Sequence, residues 1–533
     1  MIVTNSSTLP GRTLCQKEPE RHGKSATALL LVALTWSHVC LVRQWSALAQ
    51  SPGTYLFLHN SPQRPIDHAA ASLASAAVAL VLWPALLLFQ RARRRSPWRG
   101  LSVLILVGMA GVAINNIRLE LPGNLGALAI LSVALLVGLT VLAKGWRSLA
   151  RITATVLLCL SPFPIWTSLR TIYLCLARPV VYAAPPRSGD VAGSSERPNR
   201  GALAHTNTAS RVVWVLFDEW DGALTFDGAD VAHRLPALAD FRATSLDATA
   251  AQAPATHTVI SVPALLTGRL LADASPADAN DLWLRPLDGS GQSRFQQAPN
   301  LIRTLSNHGL AAGIAGWSLP YCRLFPNDLA ACFSIPSDLN LRQDLGLYDL
   351  TVSNLAMAIL PENNLRTVIK WMPDTENHRI IYDALTPISE RYAADPSLDF
   401  VFLHLPIPHL PVIYNRATGE ERADLFHADY ADNLALVDRT VQRLKAAMVA
   451  GGVWDDTTVL LSSDHWFRKA RHSPGQLFNR VPFLLKLKGQ HSPARYQPRF
   501  NTIVTAGLLT AIVDGGVKQP EEAIRWLTEH RQN

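Results

Sequence analysis

Cysteine is scarce in this sequence, and no two cysteines have the spacing of a cysteine-ligated metal site. The 533 residues contain six cysteines and no Cys-x-x-Cys pair, which argues against zinc fingers and related sites. Four cysteines lie within the first 175 residues. The other two, Cys322 and Cys332, stand close together in the later part of the chain.

Charge is also sparse and unevenly distributed. Charged residues make up 17% of the chain and hydrophobic residues 48%, a high apolar share for a soluble protein. The first third is apolar with few charges, whereas the remainder has the composition of a soluble globular domain. The length exceeds that of one ordinary domain, and no internal repeat is present. We therefore expect two parts of different character.

The apolar third divides into five segments, each near the roughly 17–25 residues that cross a bilayer as a helix. They are residues 25–42, 68–90, 101–117, 125–143 and 152–177. The sequence therefore predicts a cytoplasmic tail at 1–24 followed by an all-α bundle of five transmembrane helices at 25–177.

Basic residues in the connecting loops predict the orientation of this bundle. Twelve lie in the N-terminal tail and in the loops that follow the second and fourth segments, whereas the alternate loops hold only Arg43, Arg64 and Arg118. The positive-inside rule then places the N-terminus in the cytoplasm and everything after residue 177 outside. The net charge of +8 thus reflects topology, and we expect no nucleic-acid partner.

Two further expectations follow from this topology. The stretch SALAQ at 46–50 resembles a signal-peptidase site, so the first segment could alternatively be a cleaved signal; the orientation would not change. An external location also favours a disulfide between Cys322 and Cys332 over two free thiols.

A stretch rich in Pro, Gly and Ser, residues 178–210, is typical of a linker. From 211 to 533 apolar strand-like runs alternate with helical patterns. The predicted strands are 211–217, 311–315, 398–405, 457–463 and 481–487, and the predicted helices are 259–267, 298–308, 426–449 and 500–513. This alternation indicates an α/β domain with a mostly parallel sheet and helices on both faces.

Several of these strands finish in residues that bind metals. The run RVVWVLFD ends in Asp218, TTVLLSSDH ends in Asp464 and His465, and LDFVFLHL carries His404. Because ligands bind at the carboxyl ends of parallel strands, we expect these side chains to meet. The alternative is that each is a helix cap or an ordinary loop residue.

Short motifs around these strand ends resemble the alkaline phosphatase superfamily, in particular its sulfatase-like branch. They are the strand-terminal Asp218, the helix-opening stretch ATHTVISVPALLTGR at 255–269, the late Ser-Asp-His, and two histidines five apart in HLPIPHLP. Together with five membrane segments, they are most similar to membrane-bound phosphoethanolamine transferases, and also to lipoteichoic acid synthases. The resemblance implies a bacterial inner-membrane protein with a periplasmic catalytic domain.

The resemblance assigns Thr258 as nucleophile and Asp218, Thr258, Asp464 and His465 as ligands of a divalent metal. Zinc is expected, with manganese, magnesium or calcium as alternatives. Coordination lowers the pKa of a threonine hydroxyl, and a helix N-terminus favours an anionic phosphate. The alternative for Thr258 is an ordinary N-cap.

Other polar residues complete the predicted site. The resemblance implies substrate binding by His404, His409 and His472, while Glu219 is a candidate for supporting a second metal or capping a turn. Two positions depart from the resembling transferases. The transferases usually have Glu where this chain has Asp218. They usually have Gly where this chain has Trp466, a bulky residue that would reshape the pocket.

The predicted function is transfer of a phosphoethanolamine- or glycerophosphate-type group from a phospholipid to a cell-envelope glycan or lipid, through a phospho-Thr258 intermediate. Sulfate chemistry is disfavoured, because Thr258, Ile260 and Val262 replace the Cys/Ser-x-Pro-x-Arg motif that yields formylglycine. Hydrolysis with water as acceptor, or an inactive membrane scaffold of the same fold, are the alternatives.

Overall fold

The computed structural model describes residues 20–59, 63–92, 96–120, 146–176, 210–227, 234–336, 346–359, 374–422, 428–470 and 479–531. It divides into two compact units. The first comprises the described residues within 1–47, 65–178 and 347–359, and the second comprises the rest.

The helices, in chain order, are α1 (Glu20–Cys40), α2 (Val42–Ala49), α3 (Pro52–Leu58), α4 (Pro65–Arg91), α5 (Pro97–Glu120), α6 (Trp146–Cys159), α7 (Pro162–Leu176), α8 (Gly222–Phe226), α9 (Pro236–Ala243), α10 (Thr258–Thr267), α11 (Leu301–Asn307), α12 (Tyr321–Leu324), α13 (Leu347–Ile359), α14 (Asp374–Ala394), α15 (Tyr430–Ala450), α16 (Thr505–Val513) and α17 (Pro520–His530). Short 3-10 turns occupy Phe295–Gln297 and Thr502–Val504.

The strands are β1 (Arg211–Asp218), β2 (Leu246–Ala248), β3 (Ala251–Gln252), β4 (Leu271–Pro276), β5 (Leu282–Pro286), β6 (Ser293–Arg294), β7 (Ala312–Ser318), β8 (Ala331–Pro336), β9 (Phe400–Pro408), β10 (Thr457–Ser463), β11 (Phe483–Lys486), β12 (Ala494–Tyr496) and β13 (Phe500–Asn501).

The first unit is helical and apolar. Within the described residues, three stretches are long and apolar enough to cross a membrane: Pro65–Arg91, Pro97–Arg118 and Arg151–Tyr173. A fourth would be added if α1 and α2, which meet at a bend of 77°, formed one span. The expected segment 125–143 lies outside the described residues, so the structure accounts for three to four of the five predicted helices.

Helix α13 also belongs to this first unit, although its sequence lies between elements of the α/β domain. Its 13 residues correspond to about 20 Å of helix, too short to cross a bilayer. It packs against α4 and α5, and the buried Asn116 Nδ2 of α5 donates a hydrogen bond of 2.8 Å to the Ala358 carbonyl. This helix is not among those predicted from the sequence.

The second unit is built on an eight-stranded sheet with the order β12-β2-β11-β10-β1-β9-β7-β8. The strands β10, β1, β9, β7 and β8 run parallel, whereas β11 is antiparallel to both of its neighbours. A two-stranded sheet pairs β13 with β3, and a three-stranded sheet joins β4, β5 and β6. The fold is therefore a mixed α/β sheet, parallel at its centre.

Strand β1 shows why this sheet has two covered faces. From Val212 to Asp218 every residue is buried. Trp214 and its alternate neighbours join one hydrophobic core, while Val215 and the other set join a second core. Alternation of side chains across a strand sends a continuous apolar run into both faces. The result is a rigid central strand whose carboxyl end positions Asp218.

Candidate active site

Two buried strand ends bring carboxylates together at one edge of the main sheet. Asp218 is the last residue of β1, and Asp464 directly follows β10. The strands are parallel neighbours with Phe217 opposite Ser463, so both carboxylates emerge at the same edge. Together with His404 they offer ligand atoms within 4.8 Å of one another, and all three side chains are buried.

Three atoms of this group have no hydrogen-bond partner among the described residues: Asp218 Oδ1, Asp464 Oδ2 and His404 Nε2. The other Asp464 oxygen accepts the backbone N–H groups of Glu219 at 3.1 Å and His465 at 2.8 Å. A buried polar atom left unpaired costs about 1–3 kcal/mol, and one cation would satisfy all three. Oxygen and imidazole donors of this kind fit zinc or manganese.

His465 is oriented as a ligand by the backbone of the next residue, Trp466. Its Nδ1 lies 3.0 Å from the Trp466 carbonyl oxygen, which can only accept, so Nδ1 carries the proton. The Nε2 lone pair then faces Asp464 Oδ2 at 3.4 Å and Asp218 Oδ1 at 3.7 Å. A hydrogen bond that fixes the tautomer in this way is typical of metal-binding histidines.

His404 comes from within β9 rather than from a strand end, because β9 continues to Pro408 and His404 stands opposite Leu216 and Gly316. Its Nδ1 lies 2.7 Å from Tyr321 Oη, and its Nε2 lies 3.9 Å from Asp218 Oδ2. A Cβ on Gly316 would meet the Tyr321 ring at 2.5 Å, so glycine is required for this packing. The sequence analysis assigned His404 to the substrate, whereas its Nε2 atom lies among the possible metal ligands.

Thr258 is the first residue of α10 and reaches the same group. Its Oγ1 lies 3.4 Å from Asp218 Oδ2 and 3.3 Å from His465 Nε2. The N-cap of α10 is His257, which makes no side-chain cap bond, so Thr258 is not an ordinary N-cap. The structure thus brings together Asp218, Asp464, His465 and Thr258, the four residues that the sequence predicted as a metal site.

The electrostatics of this group favour a bound cation. Burial raises the pKa of Asp218 well above its usual range, and the charges of Asp464 and Glu219 raise it further. Although burial opposes it, His465 and His404 hold the pKa of Asp464 below its ordinary value. Burial lowers the pKa of His404 to about 4, so its ring is neutral, as a metal ligand must be. Two adjacent buried carboxylates ionise together only when positive charge compensates them.

Glu219 lies beside this group with its side chain directed elsewhere. Its Oε1 accepts a hydrogen bond of 2.6 Å from Arg468 Nε, and its Oε2 lies 3.9 Å from His409 Nε2. Its backbone has a φ of +62°, a conformation that is rare for residues other than glycine. Its carbonyl accepts from Tyr430 Oη at 2.7 Å. Glu219 therefore links the carboxylate group to Arg468 and His409.

Two residues near His409 were missed by the sequence analysis. His378 of α14 is buried, and its ring lies parallel to that of His409 with centroids 6.1 Å apart. Trp317 at the end of β7 makes edge contacts with both rings. His378 lies in a helical stretch without metal-type spacing, and Trp317 looks like a core residue.

Two predictions lie away from the carboxylates. Cys322 and Cys332 form a disulfide, as predicted, and it joins α12, which carries Tyr321, to β8. His472, expected to bind substrate, lies outside the described residues.

Comparison with known proteins identifies a family for this chain. The family model described as Sulfatase matches residues 210–509. No curated protein matches the chain significantly.

Several solved structures of low sequence identity are similar to part of the chain. A protein of the alkaline phosphatase superfamily from Vibrio parahaemolyticus is 16% identical, with 62% of this chain and 71% of that chain covered and a TM-score of 0.37. The lipoteichoic acid synthase LtaP from Listeria monocytogenes is 13% identical, with 61% and 77% covered and a TM-score of 0.36. The phosphonate monoester hydrolase of Agrobacterium radiobacter is 13% identical, with 58% and 78% covered and a TM-score of 0.37.

The sulfatase match spans more than half of the chain and includes Asp218, Thr258, His404 and the Asp464-His465 pair. The protein is therefore an enzyme of the sulfatase family.

Proposed function

We propose that this enzyme transfers a phosphoethanolamine- or glycerophosphate-type group from a membrane phospholipid to an envelope glycan or lipid. The observation that supports it most is the position of Thr258. Its hydroxyl lies at a helix N-terminus, within 3.4 Å of Asp218 and 3.3 Å of His465. A hydroxyl held against buried ligand atoms at such an end is arranged for attack on phosphorus.

Asp218, Asp464, His465 and His404 would hold the divalent cation, with zinc as the expected metal. When bound, the cation lowers the pKa of a coordinated hydroxyl and neutralises charge on the phosphoryl oxygens. Asp218 Oδ2, 3.4 Å from Thr258 Oγ1, is placed to accept a hydrogen bond from the hydroxyl. The first turn of α10 offers backbone N–H groups and a positive dipole end to an anionic oxygen.

The reaction proceeds in two displacements at phosphorus. Thr258 Oγ loses its proton and forms a bond to phosphorus, and the bond to the diacylglycerol oxygen breaks, so that oxygen leaves and takes up a proton. The hydroxyl of the acceptor then attacks the phospho-Thr258 ester, loses its own proton, and restores the threonine. Arg468 stands beside the cluster, where its N–H groups are placed to bind the transferred head group, and His409 Nε2 lies 3.4 Å from Arg468 Nη2.

Phosphorus chemistry is favoured over sulfate ester cleavage by the nucleophile itself. Thr258 cannot yield formylglycine, and Ile260 and Val262 stand where the resembling sulfatases carry Pro and Arg. The apolar helices of the first unit favour a lipid as the donor, since a membrane-anchored enzyme meets its donor in two dimensions. The proposed location is a bacterial inner membrane with the α/β domain outside.

The test uses full-length protein in phospholipid vesicles with head-group-labelled phosphatidylethanolamine or phosphatidylglycerol. Thr258→Ala should lower turnover by at least about 10³-fold, since the nucleophile is lost. Thr256→Ala is the matched control, because Thr256 is an exposed hydroxyl two residues upstream. Omitting the acceptor should leave the label on Thr258, detectable by mass spectrometry of the peptide.

Two results would contradict the proposal. Turnover that survives Thr258→Ala would remove the covalent step. Release of the labelled head group into water, with none on an added membrane acceptor, would identify a hydrolase.

A further inference from the structure

The first unit contains a set of buried polar side chains whose function the active site does not explain. His68 at the start of α4 is 1% exposed and Gln44 of α2 is 6% exposed. Both ring nitrogens of His68 and both amide atoms of Gln44 have no hydrogen-bond partner among the residues that the structure describes. In a bundle of apolar helices such groups are costly and usually mark a functional site.

The elements around His68 are tied together by polar contacts. Ser72, one turn after His68 on the same face of α4, lies 3.3 Å from Thr171 Oγ1 of α7. Trp45, next to Gln44, donates from its indole N–H to Ser75 Oγ at 3.1 Å. These contacts bring α2, α4 and α7 together along the His68 face of α4.

Two opposite charges act on the His68 ring, those of Arg170 on α7 and of the adjacent Asp67. His68 lies three residues into α4, about 4.5 Å from its start, and Arg170 lies six residues, about 9 Å, before the end of α7. In the orientation predicted from the loops, both helix ends face outside. The polar set therefore lies near the depth of the outer-leaflet head groups.

From this arrangement we infer a binding site for the head group of a phospholipid, formed by Gln44, His68 and Arg170 in the first unit. Imidazole, amide and guanidinium groups can each donate a hydrogen bond to a phosphodiester oxygen, and Arg170 supplies the positive charge. Asp67 offers a carboxylate to a cationic end of the same head group, which favours a zwitterionic lipid. That this lipid is also the donor rests on the proposed function; the binding itself does not.

Binding is measured on full-length protein carrying Thr258→Ala, so that turnover cannot consume the lipid. The protein is stripped of lipid in detergent and titrated with short-chain phosphatidylethanolamine, followed by native mass spectrometry and by the shift in Tm. His68→Leu and Arg170→Gln should each weaken binding about tenfold, as expected for the loss of one charge-assisted or buried hydrogen bond.

Two further variants separate binding from folding. Ser102→Ala is the control, because Ser102 is a buried hydroxyl of α5 bonded to the Arg99 carbonyl one turn earlier at 2.8 Å. It should leave the affinity unchanged. His68→Gln keeps an N–H donor and should bind within about threefold of the parent, which preserves the test if His68→Leu does not fold.

Unchanged lipid affinity in His68→Leu and Arg170→Gln would overturn the inference, because the unpaired atoms would then be hydrogen-bonded by water and not by a lipid. Inorganic phosphate that raises Tm as much as the lipid, and displaces it, would overturn the lipid assignment. Neither result bears on Thr258. Conversely, turnover that survives Thr258→Ala would contradict the proposed function without affecting the result of the lipid titration.

Discussion

Replacement of Asp218 by asparagine should have opposite effects on the metal-free and metal-loaded enzyme. The ligand atoms of Asp218 and Asp464 lie within 4.8 Å of each other, and both side chains are buried. Two unit charges at that distance repel by about 3.5 kcal/mol at an effective dielectric constant near 20. Burial and the charge of Asp464 raise the pKa of Asp218 well above its usual range, which favours its protonated form in the metal-free protein and relieves part of this repulsion.

Asp218→Asn removes the charge and keeps a side chain of similar shape. We expect it to stabilise the metal-free protein by about 1–3 kcal/mol, the part of the repulsion that protonation does not relieve, or roughly 2–6 °C in Tm. A metal at 100 times its Kd stabilises the parent by about 2.7 kcal/mol. The variant should lose most of that gain, because an amide is a poorer ligand than a carboxylate.

The assay is thermal unfolding of the full-length protein in detergent, with a chelator or with zinc or manganese, together with metal analysis. Asp438→Asn is the control, since Asp438 is buried outside the site and accepts the Leu238 N–H at 2.8 Å. It should change stability equally with and without metal. If Asp218→Asn destabilised the chelated protein as much as the loaded one, the two carboxylates would not be a metal site.

Two other predictions concern stability away from the cation. Cys322→Ser removes the disulfide, whose cysteines are ten residues apart, and should lower the free energy of unfolding by about 2.8 kcal/mol on the chain-entropy account. The loss is measured as a fall in Tm, which a reductant should reproduce in the parent protein. An unchanged Tm would contradict this prediction. Burial and then His409 lower the pKa of His378 to about 3 from an ordinary value of 6.5. Below pH 6.5 the unfolded chain therefore binds a proton at His378 that the folded protein does not bind. As the pH is lowered from 6.5, the free energy of unfolding decreases by up to about 1.4 kcal/mol per pH unit. His378→Asn should flatten the dependence of Tm on pH between 6.5 and 5, and an unaltered slope would refute this assignment.

The parts of the fold that could be predicted are those whose sequence fits only one type of secondary structure. The runs at 211–217 and 457–463 are too apolar for a half-exposed strand and too short for a membrane helix, and they became β1 and β10. Because both end at the sheet edge, Asp218 and Asp464 could be expected to meet. Strand β8, by contrast, has the mixed sequence ACFSIP, and its pairing with β7 is set by tertiary contacts.

Other features could not be predicted because they depend on packing across the sheet. The sequence predicts that His404 lies near the end of its strand. In the structure β9 continues to Pro408, which pairs with Asp218 after a register shift. Helix α13 has an apolar sequence that suits a buried helix of either unit, and the spacing of its residues does not indicate which. His378 is brought to His409 by α14, a helix that is not among those predicted from the sequence.

The departure at 466 removes no candidate metal ligand. Trp466 replaces the glycine of the resembling transferases, yet it orients His465 through its backbone carbonyl, which any residue supplies. Its indole is buried and packs in a hydrophobic core, so it takes up volume without removing a ligand.

The departure at 218 is more informative. Asp is one methylene shorter than the Glu of those transferases, so its carboxylate stays closer to β1. There it meets His404 of the adjacent strand, with Asp218 Oδ2 3.9 Å from His404 Nε2. The free Nε2 of His404 supplies a further donor beside the shortened carboxylate. We therefore expect His404 to join Asp218 in holding a bound cation.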